Sequence, residues 1–167
     1  HLNLLKIVNA DVFVFADVSG SIQGDQSRKL STRPNMGNEE FVDYCKKINE
    51  ISNRLNDEGI PMSYHEHMGT IIQTENDVDK FIDNTNDNTF LLYDTGHLLF
   101  AKANYERVLK NYVSKINHVH CKDIRKDILE KSLQKDLSFR ESFLDGVFTV
   151  PGDGCICLLY TSDAADE

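Results

Sequence analysis

The chain has 167 residues, which suffice for one ordinary domain but not for two full-sized ones. It carries 27 acidic and 18 basic residues, a formal net charge of −9 that argues against binding to a DNA duplex or an anionic membrane. No apolar run reaches the roughly 18 to 20 residues that a membrane span needs. We therefore predict a globular protein with neither a nucleic-acid nor a membrane partner.

The cysteines and histidines suggest different roles for the two residue types. The four cysteines fit neither a zinc ribbon nor a disulfide framework, so we expect free thiols and a cytoplasmic location: Cys45, Cys121, Cys155 and Cys157. Five of the six histidines, in contrast, lie in three short groups along the chain: His65 and His67, His97, then His118 and His120.

The first part of the chain shows a strand, a long polar segment, a helix and a second strand. Asp11 to Val18 is apolar and β-branched or aromatic, which predicts a buried strand. The polar segment from Ser19 to Met36 has a length that is typical of a functional lid. A helix capped by Asn38 should follow and end at Gly59, and Ile60 to His67 reads as the second strand. The apolar stripe of that helix is Phe41, Cys45, Ile48, Ile51 and Leu55.

The alternation of helices and strands continues to residue 134. Thr74 and Asp77 resemble a capping box, which opens a helix with an apolar face. Thr89 to Asp94 and Val113 to Cys121 are predicted as the third and fourth strands, and a charged helix should cover Ile124 to Gln134. The apolar helical positions between these strands are Val78, Phe81 and Ile82 in one helix and Tyr105, Val108, Leu109 and Tyr112 in the next.

Strands that alternate with amphipathic helices indicate βαβ units and a parallel sheet. Each polar cluster falls at the carboxyl end of a strand, where active sites of parallel α/β folds gather. Neither a G-x-G-x-x-G motif nor a Walker loop is present, which disfavours a nucleotide-binding doubly wound sheet. The pattern therefore favours an α/β fold that is a piece of a (β/α) barrel.

The histidine spacing suits a metal site at these strand ends. His65 and His67 lie two residues apart on a strand, so both side chains face the same way, and His118 and His120 repeat this spacing. Asp94 is separated from His97 by a short turn. Taken singly, each histidine would be a hydrogen-bonded structural residue, but their coincidence on successive strands favours mixed nitrogen and oxygen ligation of Zn, Mn, Co or Fe.

Both ends of the chain differ from what a complete natural domain would show. The last residues, 157–167 (CLLYTSDAADE), follow no helix or strand pattern and back-translate to a transposase sequencing adapter read in frame. We interpret them as a non-native tail on a partial barrel domain of residues 1–156. Because the chain begins with His1 rather than Met, we also expect it to be truncated at its start.

Four motifs, in order, resemble those of the myo-inosose-2 dehydratases, a family within the xylose isomerase-like TIM barrels: YHEHMGT, LLYDTGHLLFA, INHVHCKDIR and FLDGVFTVPGDG. The resemblance runs from about Asp11 to Ile156. It implies a partial (β/α)8 TIM barrel, roughly its second half and truncated at both ends.

The resemblance also implies a divalent metal at the barrel mouth, Mn²⁺ or Co²⁺, with Zn²⁺ also tolerated. Asp94 and His120 match two family ligands. His65 stands where the family has a Glu, and strand alternation points the neighbouring Glu66 away, so we predict His65 as the third ligand. The last ligand, a Glu, is expected on a strand beyond Ile156.

The implied reaction is the dehydration of 2-keto-myo-inositol (scyllo-inosose) to a trihydroxycyclohexane-1,2-dione, in myo-inositol catabolism. His67, His97 and Lys122 are the predicted catalytic residues, and His118 and Arg125 are predicted to bind substrate. Which residue acts as base and which as acid stays open at this stage, as does the oligomeric state, with a homo-oligomer compatible with the sequence.

Two other interpretations remain. A metal-dependent sugar isomerase or epimerase of the same barrel class would use the same residues without losing water. Alternatively, the chain is an inactive half-barrel, whose open sheet edges would invite aggregation or pairing with another chain.

Overall fold

A four-stranded parallel sheet forms the centre of the protein, of which the computed structural model describes residues 1–158. In chain order the strands are β1 (Phe13–Phe15), β2 (Met62–His65), β3 (Thr89–Asp94) and β4 (Ile116–His120). They lie side by side in that same order, and every neighbouring pair is parallel. This sequential order with helical crossovers is that of a segment of a (β/α) barrel wall, as the sequence predicts.

Helices connect the strands, and a small ribbon follows them. The helices are α1 (Leu2–Ile7), α2 (Asn38–Asp57), α3 (Glu75–Asn84), α4 (Thr95–Phe100), α5 (Tyr105–Tyr112), α6 (Lys126–Gln134) and α7 (Phe139–Leu144). Short 3-10 turns lie at Leu30–Thr32 and Val113–Lys115. Two further strands, β5 (Asp123–Ile124) and β6 (Phe148–Thr149), pair antiparallel beyond the carboxyl end of β4.

The main hydrophobic core lies between the sheet and the helices α2, α3 and α5. Every second residue of each strand points into this core, because successive side chains of a strand alternate between the two faces of the sheet. Tyr64 and Phe81, whose ring centroids are 4.3 Å apart, are both almost fully buried. The buried residues of this core include Cys45, Ile48, Met62, Leu91, Tyr93 and Val108. The strand residues between them point to the other face of the sheet, which is the inside of the barrel wall.

A second hydrophobic cluster lies at the carboxyl end of the sheet, where it joins the ribbon to α6 and α7. Its buried members are Leu30, Met68, Phe100, Ile124, Leu129, Phe139, Val147 and Ile156. Since these residues come from loops and short elements that lie far apart in sequence, the cluster fixes the loops around the strand ends.

Several predicted boundaries are wrong by a few residues. The first strand is only Phe13–Phe15, and Ile124 lies in β5, so the last predicted helix begins at Lys126. Residues 113–115 form a 3-10 turn before β4. Gly37, not Asn38, is the N-cap of α2, and it has an extended backbone without a side-chain cap.

Two other local predictions have opposite outcomes. The capping box of Thr74 and Asp77 is confirmed, with both reciprocal hydrogen bonds present. Ile51, which we placed on the apolar face of α2, is 38% exposed.

The polar segment 19–36 is tied down at both ends of its course. The Ile22 N–H donates to the carbonyl oxygen of Gly69 (3.0 Å), which joins the segment to the loop after β2. Farther along, Ser31 donates two hydrogen bonds to the Asp136 carboxylate, and Arg33 forms an ion pair with Asp77 at 2.9 Å. These hydrogen bonds and this ion pair hold the segment beside the carboxyl ends of the strands, and its role as a lid stays a prediction.

All four cysteines are free, with Cys45 buried and the other three exposed. Within residues 1–158, no helix is long and apolar enough to cross a membrane. Most of the predicted tail, residues 159–167, lies outside the described residues, so its interpretation as non-native stays a prediction.

Candidate active site

Three side chains converge at the carboxyl ends of β2, β3 and β4. Strand alternation turns His65, Asp94 and His120 to the inside of the barrel wall, and the β3–β4 register places Asp94 directly opposite His120. His65 Nε2 lies 3.2 Å from Asp94 Oδ2, and His120 Nδ1 lies 3.3 Å from the same oxygen. One nitrogen or oxygen atom from each residue lies within 4.8 Å of the others. The structure thus brings together the three residues predicted as metal ligands.

Lys122 completes this cluster from the segment between β4 and β5. Its ammonium donates a hydrogen bond to Asp94 Oδ2, the oxygen that also faces the two histidines. Burial alone would raise the pKa of the Asp94 carboxyl, but the hydrogen bond from His65 and the positive charge of Lys122 outweigh it and lower that pKa. Asp94 is therefore a buried carboxylate that stays ionised.

The second oxygen of Asp94 caps the helix that follows β3. Asp94 Oδ1 accepts hydrogen bonds from the N–H groups of Gly96 and His97, both at 3.1 Å. These are among the N–H groups that a helix leaves without an internal partner, and an aspartate at the N-cap satisfies them. The predicted turn after Asp94 is thus the first turn of α4. It fixes the carboxylate and brings His97 close to it.

The ring of His67, which is partly buried, and that of His97, which is buried, form a pair beside the cluster, with centroids 3.8 Å apart. His67 Nδ1 lies 2.8 Å from the Met68 carbonyl oxygen, which can only accept, so Nδ1 carries the hydrogen and Nε2 the free lone pair. The Met68 N–H donates to His97 Nδ1 at 3.4 Å, so a neutral His97 carries its hydrogen on Nε2. The two rings therefore present opposite groups, an acceptor and a donor.

Burial keeps both of these rings neutral. It lowers the pKa of His67 to about 4. It also lowers the pKa of His97, and the neighbouring His67 ring lowers it further. The same burial, followed by the charge of Lys122, lowers the pKa of the half-buried His120. At neutral pH these imidazoles are thus available as ligands, as proton acceptors or as neutral hydrogen-bond donors.

Aromatic rings and a close glycine contact enclose the pair. Phe139 packs edge-on against His67 with centroids 5.1 Å apart, and Phe148 packs against His97 at 5.2 Å. A Cβ atom on Gly96 would lie 2.7 Å from Lys122 Cβ and 3.0 Å from the Phe148 ring. Only glycine therefore allows α4 to approach the Lys122 stem this closely. Neither phenylalanine was predicted as a site residue, although Phe148 lies in the FTVPGDG motif.

Glu66 is placed differently from the three ligand candidates. Its side chain is 2% exposed and accepts a hydrogen bond from the Asp94 backbone N–H at 3.2 Å. Burial, followed by the charge of Asp94, raises the pKa of its carboxyl well above the usual range. Glu66 thus supports the backbone at Asp94 from the side, whereas His65 points its imidazole at the Asp94 carboxylate.

The two predicted substrate-binding residues lie at the margin of the site. His118 is half-buried on the same face of β4 as His120, with ring centroids 5.4 Å apart. Arg125 instead binds the segment around β6: it donates to the Gly146 carbonyl and the Thr149 hydroxyl, both at 2.8 Å, and to Asp153 at 3.0 Å. Its contacts are those of a residue that organises a loop, and a role in substrate binding stays a prediction.

The donor set at the strand ends fits a divalent transition metal. Two imidazole nitrogens and one carboxylate oxygen are among the usual protein ligands of such ions. The His120 Nδ1 atom is buried and lies 3.3 Å from Asp94 Oδ2, but its geometry gives no hydrogen bond to that oxygen or to any other of the residues that the structure describes. A buried ring nitrogen without a hydrogen bond is costly unless it has another partner, and a cation held between these three residues would provide one.

The protein is similar in sequence to curated bacterial proteins over nearly its whole length. It is 39% identical to the inosose dehydratase of Bacillus velezensis over 157 residues, and 40% identical to that of Halalkalibacterium halodurans over 157 residues. It is 37% identical to the rhizopine catabolism protein MocC of Rhizobium meliloti over 154 residues. These matches cover 92–93% of the chain and 47–53% of each relative, so the chain spans about half the length of these relatives.

Solved structures and a family profile agree on the fold. The chain superposes on the IolI protein with a bound zinc atom with a TM-score of 0.65 at 19% identity, covering 96% of this chain and 51% of that one. It superposes on the probable 3-DHS dehydratase AsbF of Bacillus anthracis with a TM-score of 0.63 at 13% identity, covering 97% and 71%. The profile of the xylose isomerase-like TIM barrels matches residues 1–160. The chain belongs to the xylose isomerase-like TIM barrel family.

Proposed function

We propose that the whole protein is a metal-dependent hydro-lyase that removes water from 2-keto-myo-inositol. The observation that carries this proposal is the convergence of His65, Asp94 and His120 beside a pair of neutral histidines. Relatives at 37–40% identity that are named inosose dehydratases support the choice of a cyclic polyol ketone as substrate.

His65, Asp94 and His120 would hold the metal, with Mn²⁺, Co²⁺ and Zn²⁺ all compatible with these ligand types. When bound, the metal supplies a Lewis acid that makes the hydrogen next to the substrate ketone more acidic. The remaining chemistry falls to side chains of the protein.

His67 is the residue best placed to move the proton. Its Nδ1–H is held by the Met68 carbonyl, so its free Nε2 lone pair can take the proton from the carbon next to the ketone. The resulting imidazolium then returns this proton to the leaving hydroxyl, which departs as water. His97, whose Nε2 carries a hydrogen, would orient a substrate hydroxyl by donating a hydrogen bond.

Lys122 supplies positive charge where the substrate oxygen gains negative charge. Its ammonium lies against Asp94 at the edge of the cluster, and its side chain is 35% exposed, so it can reach a bound molecule. An ammonium next to a developing enolate oxygen stabilises the transition state more than the ground state.

The test is an assay of the whole protein with 2-keto-myo-inositol in the presence of Mn²⁺, Co²⁺ or Zn²⁺, with the loss of one water followed by mass spectrometry. Asp94→Asn should abolish metal-dependent turnover. Asp87→Asn is the matched control, because Asp87 is an exposed carboxylate near the opposite end of β3 that pairs only with Lys115 among the described residues.

Two results would contradict the proposal. A product of unchanged mass from a ketose would show a sugar isomerase or epimerase instead. Turnover by the Asp94→Asn variant at the rate of the Asp87→Asn control would show that the three-residue cluster is not the reaction centre.

A further inference from the structure

One carboxylate oxygen is shared by every charged or ligating group in the cluster. Asp94 Oδ2 faces His65 Nε2 and His120 Nδ1, and it also accepts the hydrogen bond from the Lys122 ammonium. Asp94 is fully buried, so its negative charge needs a positive partner close by. Lys122 provides that partner.

The carboxylate cannot offer its other oxygen to a second cation. Asp94 Oδ1 already accepts the N–H groups of Gly96 and His97, which cap α4. A rotation of the carboxylate would break these two bonds or exchange one oxygen for the other. Oδ2 is the oxygen that faces the imidazoles. A divalent cation bound to His65 and His120 would therefore need the same oxygen atom that the Lys122 ammonium already occupies.

We propose that Lys122 is a built-in competitor of the metal: it neutralises Asp94 until a divalent cation displaces it, and the displaced ammonium then faces the substrate. This inference rests on the metal site of the proposed function. The 35% exposed side chain of Lys122 allows the movement, and the Phe148 ring, 6.0 Å from the ammonium, offers a second favourable position.

The competition has a consequence for metal selection. A cation must replace an existing ion pair, so only an ion that also gains strong bonds to two imidazole nitrogens binds well. Transition metals meet this condition, whereas Mg²⁺ prefers oxygen ligands and keeps its water. Lys122 therefore lowers the affinity of the site for every divalent cation, and only transition-metal ions still bind well.

The test is a calorimetric titration of the protein with Zn²⁺ alone. Lys122→Met removes the competing charge but keeps an unbranched apolar stem, so we expect Zn²⁺ to bind about tenfold more tightly than to the unaltered protein. Lys115→Met is the matched control, because this substitution removes the same charge far from the cluster. Lys115 lies at the opposite end of β4 and forms an ion pair with Asp87. Its Zn²⁺ affinity should equal that of the unaltered protein.

A second measurement uses the unaltered protein and so does not depend on the folding of a variant. Acetylation of each lysine by acetic anhydride is followed by peptide mass spectrometry with and without Zn²⁺. Release from Asp94 should make Lys122 react faster when Zn²⁺ is added, while Lys115 serves as the internal reference and keeps its rate.

The outcomes separate this inference from the proposed function. If Asp94→Asn abolishes Zn²⁺ binding but Lys122→Met binds Zn²⁺ no more tightly, or Zn²⁺ does not speed the acetylation of Lys122, the competition is refuted and the metal site stands. If the unaltered protein and the Lys122→Met variant both fail to bind Zn²⁺, the metal site itself is refuted, and this inference with it.

Discussion

Asp123 is the carboxylate that organises the segment after β6, and its replacement gives the sharpest test of the packing around the site. It is fully buried, and Asp123 Oδ2 accepts the N–H groups of Gly152 and Gly154, both at 3.0 Å. Asp123 Oδ1 accepts those of Ile124 at 2.8 Å and Ile156 at 2.9 Å. Only glycine fits at position 154, because a Cβ atom there would overlap this carboxylate.

Asp123→Asn should destabilise the fold by about 3 to 6 kcal/mol. An asparagine can satisfy two of these N–H groups with its oxygen, but its NH₂ group then faces the other two, which are donors themselves. Each lost hydrogen bond to a charged, buried acceptor costs roughly 1.5–3 kcal/mol. This is a large part of the ~5–15 kcal/mol that typically separates folded from unfolded proteins.

The assay is equilibrium unfolding in urea at neutral pH. Asp153→Asn is the matched control, because Asp153 lies in the same loop but is exposed. This substitution should lower the free energy of unfolding by clearly less than Asp123→Asn does. Hydrogen exchange of residues 150–156 should become faster in the Asp123→Asn variant. A loss of stability below about 1 kcal/mol would refute the view that this carboxylate holds the loop.

The difference between the Asp123→Asn variant and the unaltered protein should also depend on pH. Burial alone would raise the pKa of the Asp123 carboxyl, but four backbone hydrogen bonds outweigh it and lower that pKa. A carboxyl whose pKa is lower in the folded state stabilises the fold above its unfolded pKa of about 4, and this contribution is lost as the pH falls through the folded pKa. Unfolding curves of the two proteins should therefore converge in acid, and a constant difference down to pH 2 would contradict the assignment.

Three further predictions concern the site and its covering segment. His67→Gln removes the proton acceptor, so kcat should fall about 100-fold or more with Zn²⁺ affinity unchanged; an unaltered kcat would exclude His67 as the base. Gly96→Ala places a methyl group against Lys122 and Phe148, so its melting temperature should fall by an amount equivalent to about 1–3 kcal/mol, and an unchanged melting temperature would show that the contact yields freely. Asp136→Asn weakens the two hydrogen bonds from Ser31, so amide exchange in residues 19–36 should become faster than in the unaltered protein; equal rates would show that the segment is held elsewhere.

The periodic parts of the fold could be predicted from the sequence because their physical signal is local. Thr89–Asp94 was predicted with its observed bounds, since a short apolar run of aromatic and branched residues has few alternatives. The grouping of His65, Asp94 and His120 could also be predicted, because a spacing of two on parallel strands determines the face and the end of the sheet.

The short elements at the strand ends could not be predicted because tertiary contacts stabilise them. Helix α4 has only six residues, and its N-terminus is capped by the side chain of Asp94, the same residue that was predicted as a ligand. Strands β5 and β6 have two residues each and pair across more than twenty positions of sequence. Helices and strands of this length have no periodicity that a pattern could detect.

The roles proposed for His67 and His97 show most clearly what a sequence leaves open. His67 and His97 are the same residue type, and burial lowers the pKa of each, so neither composition nor electrostatics distinguishes them. The distinction comes from Met68, whose carbonyl oxygen accepts from one ring while its N–H donates to the other. A backbone carbonyl and a backbone N–H have fixed polarity, so they determine which ring nitrogen is free on each histidine. The assignment of His67 as the base therefore depends on how the loop after β2 packs against the first turn of α4, and any side chain at position 68 that preserved this backbone would preserve the assignment.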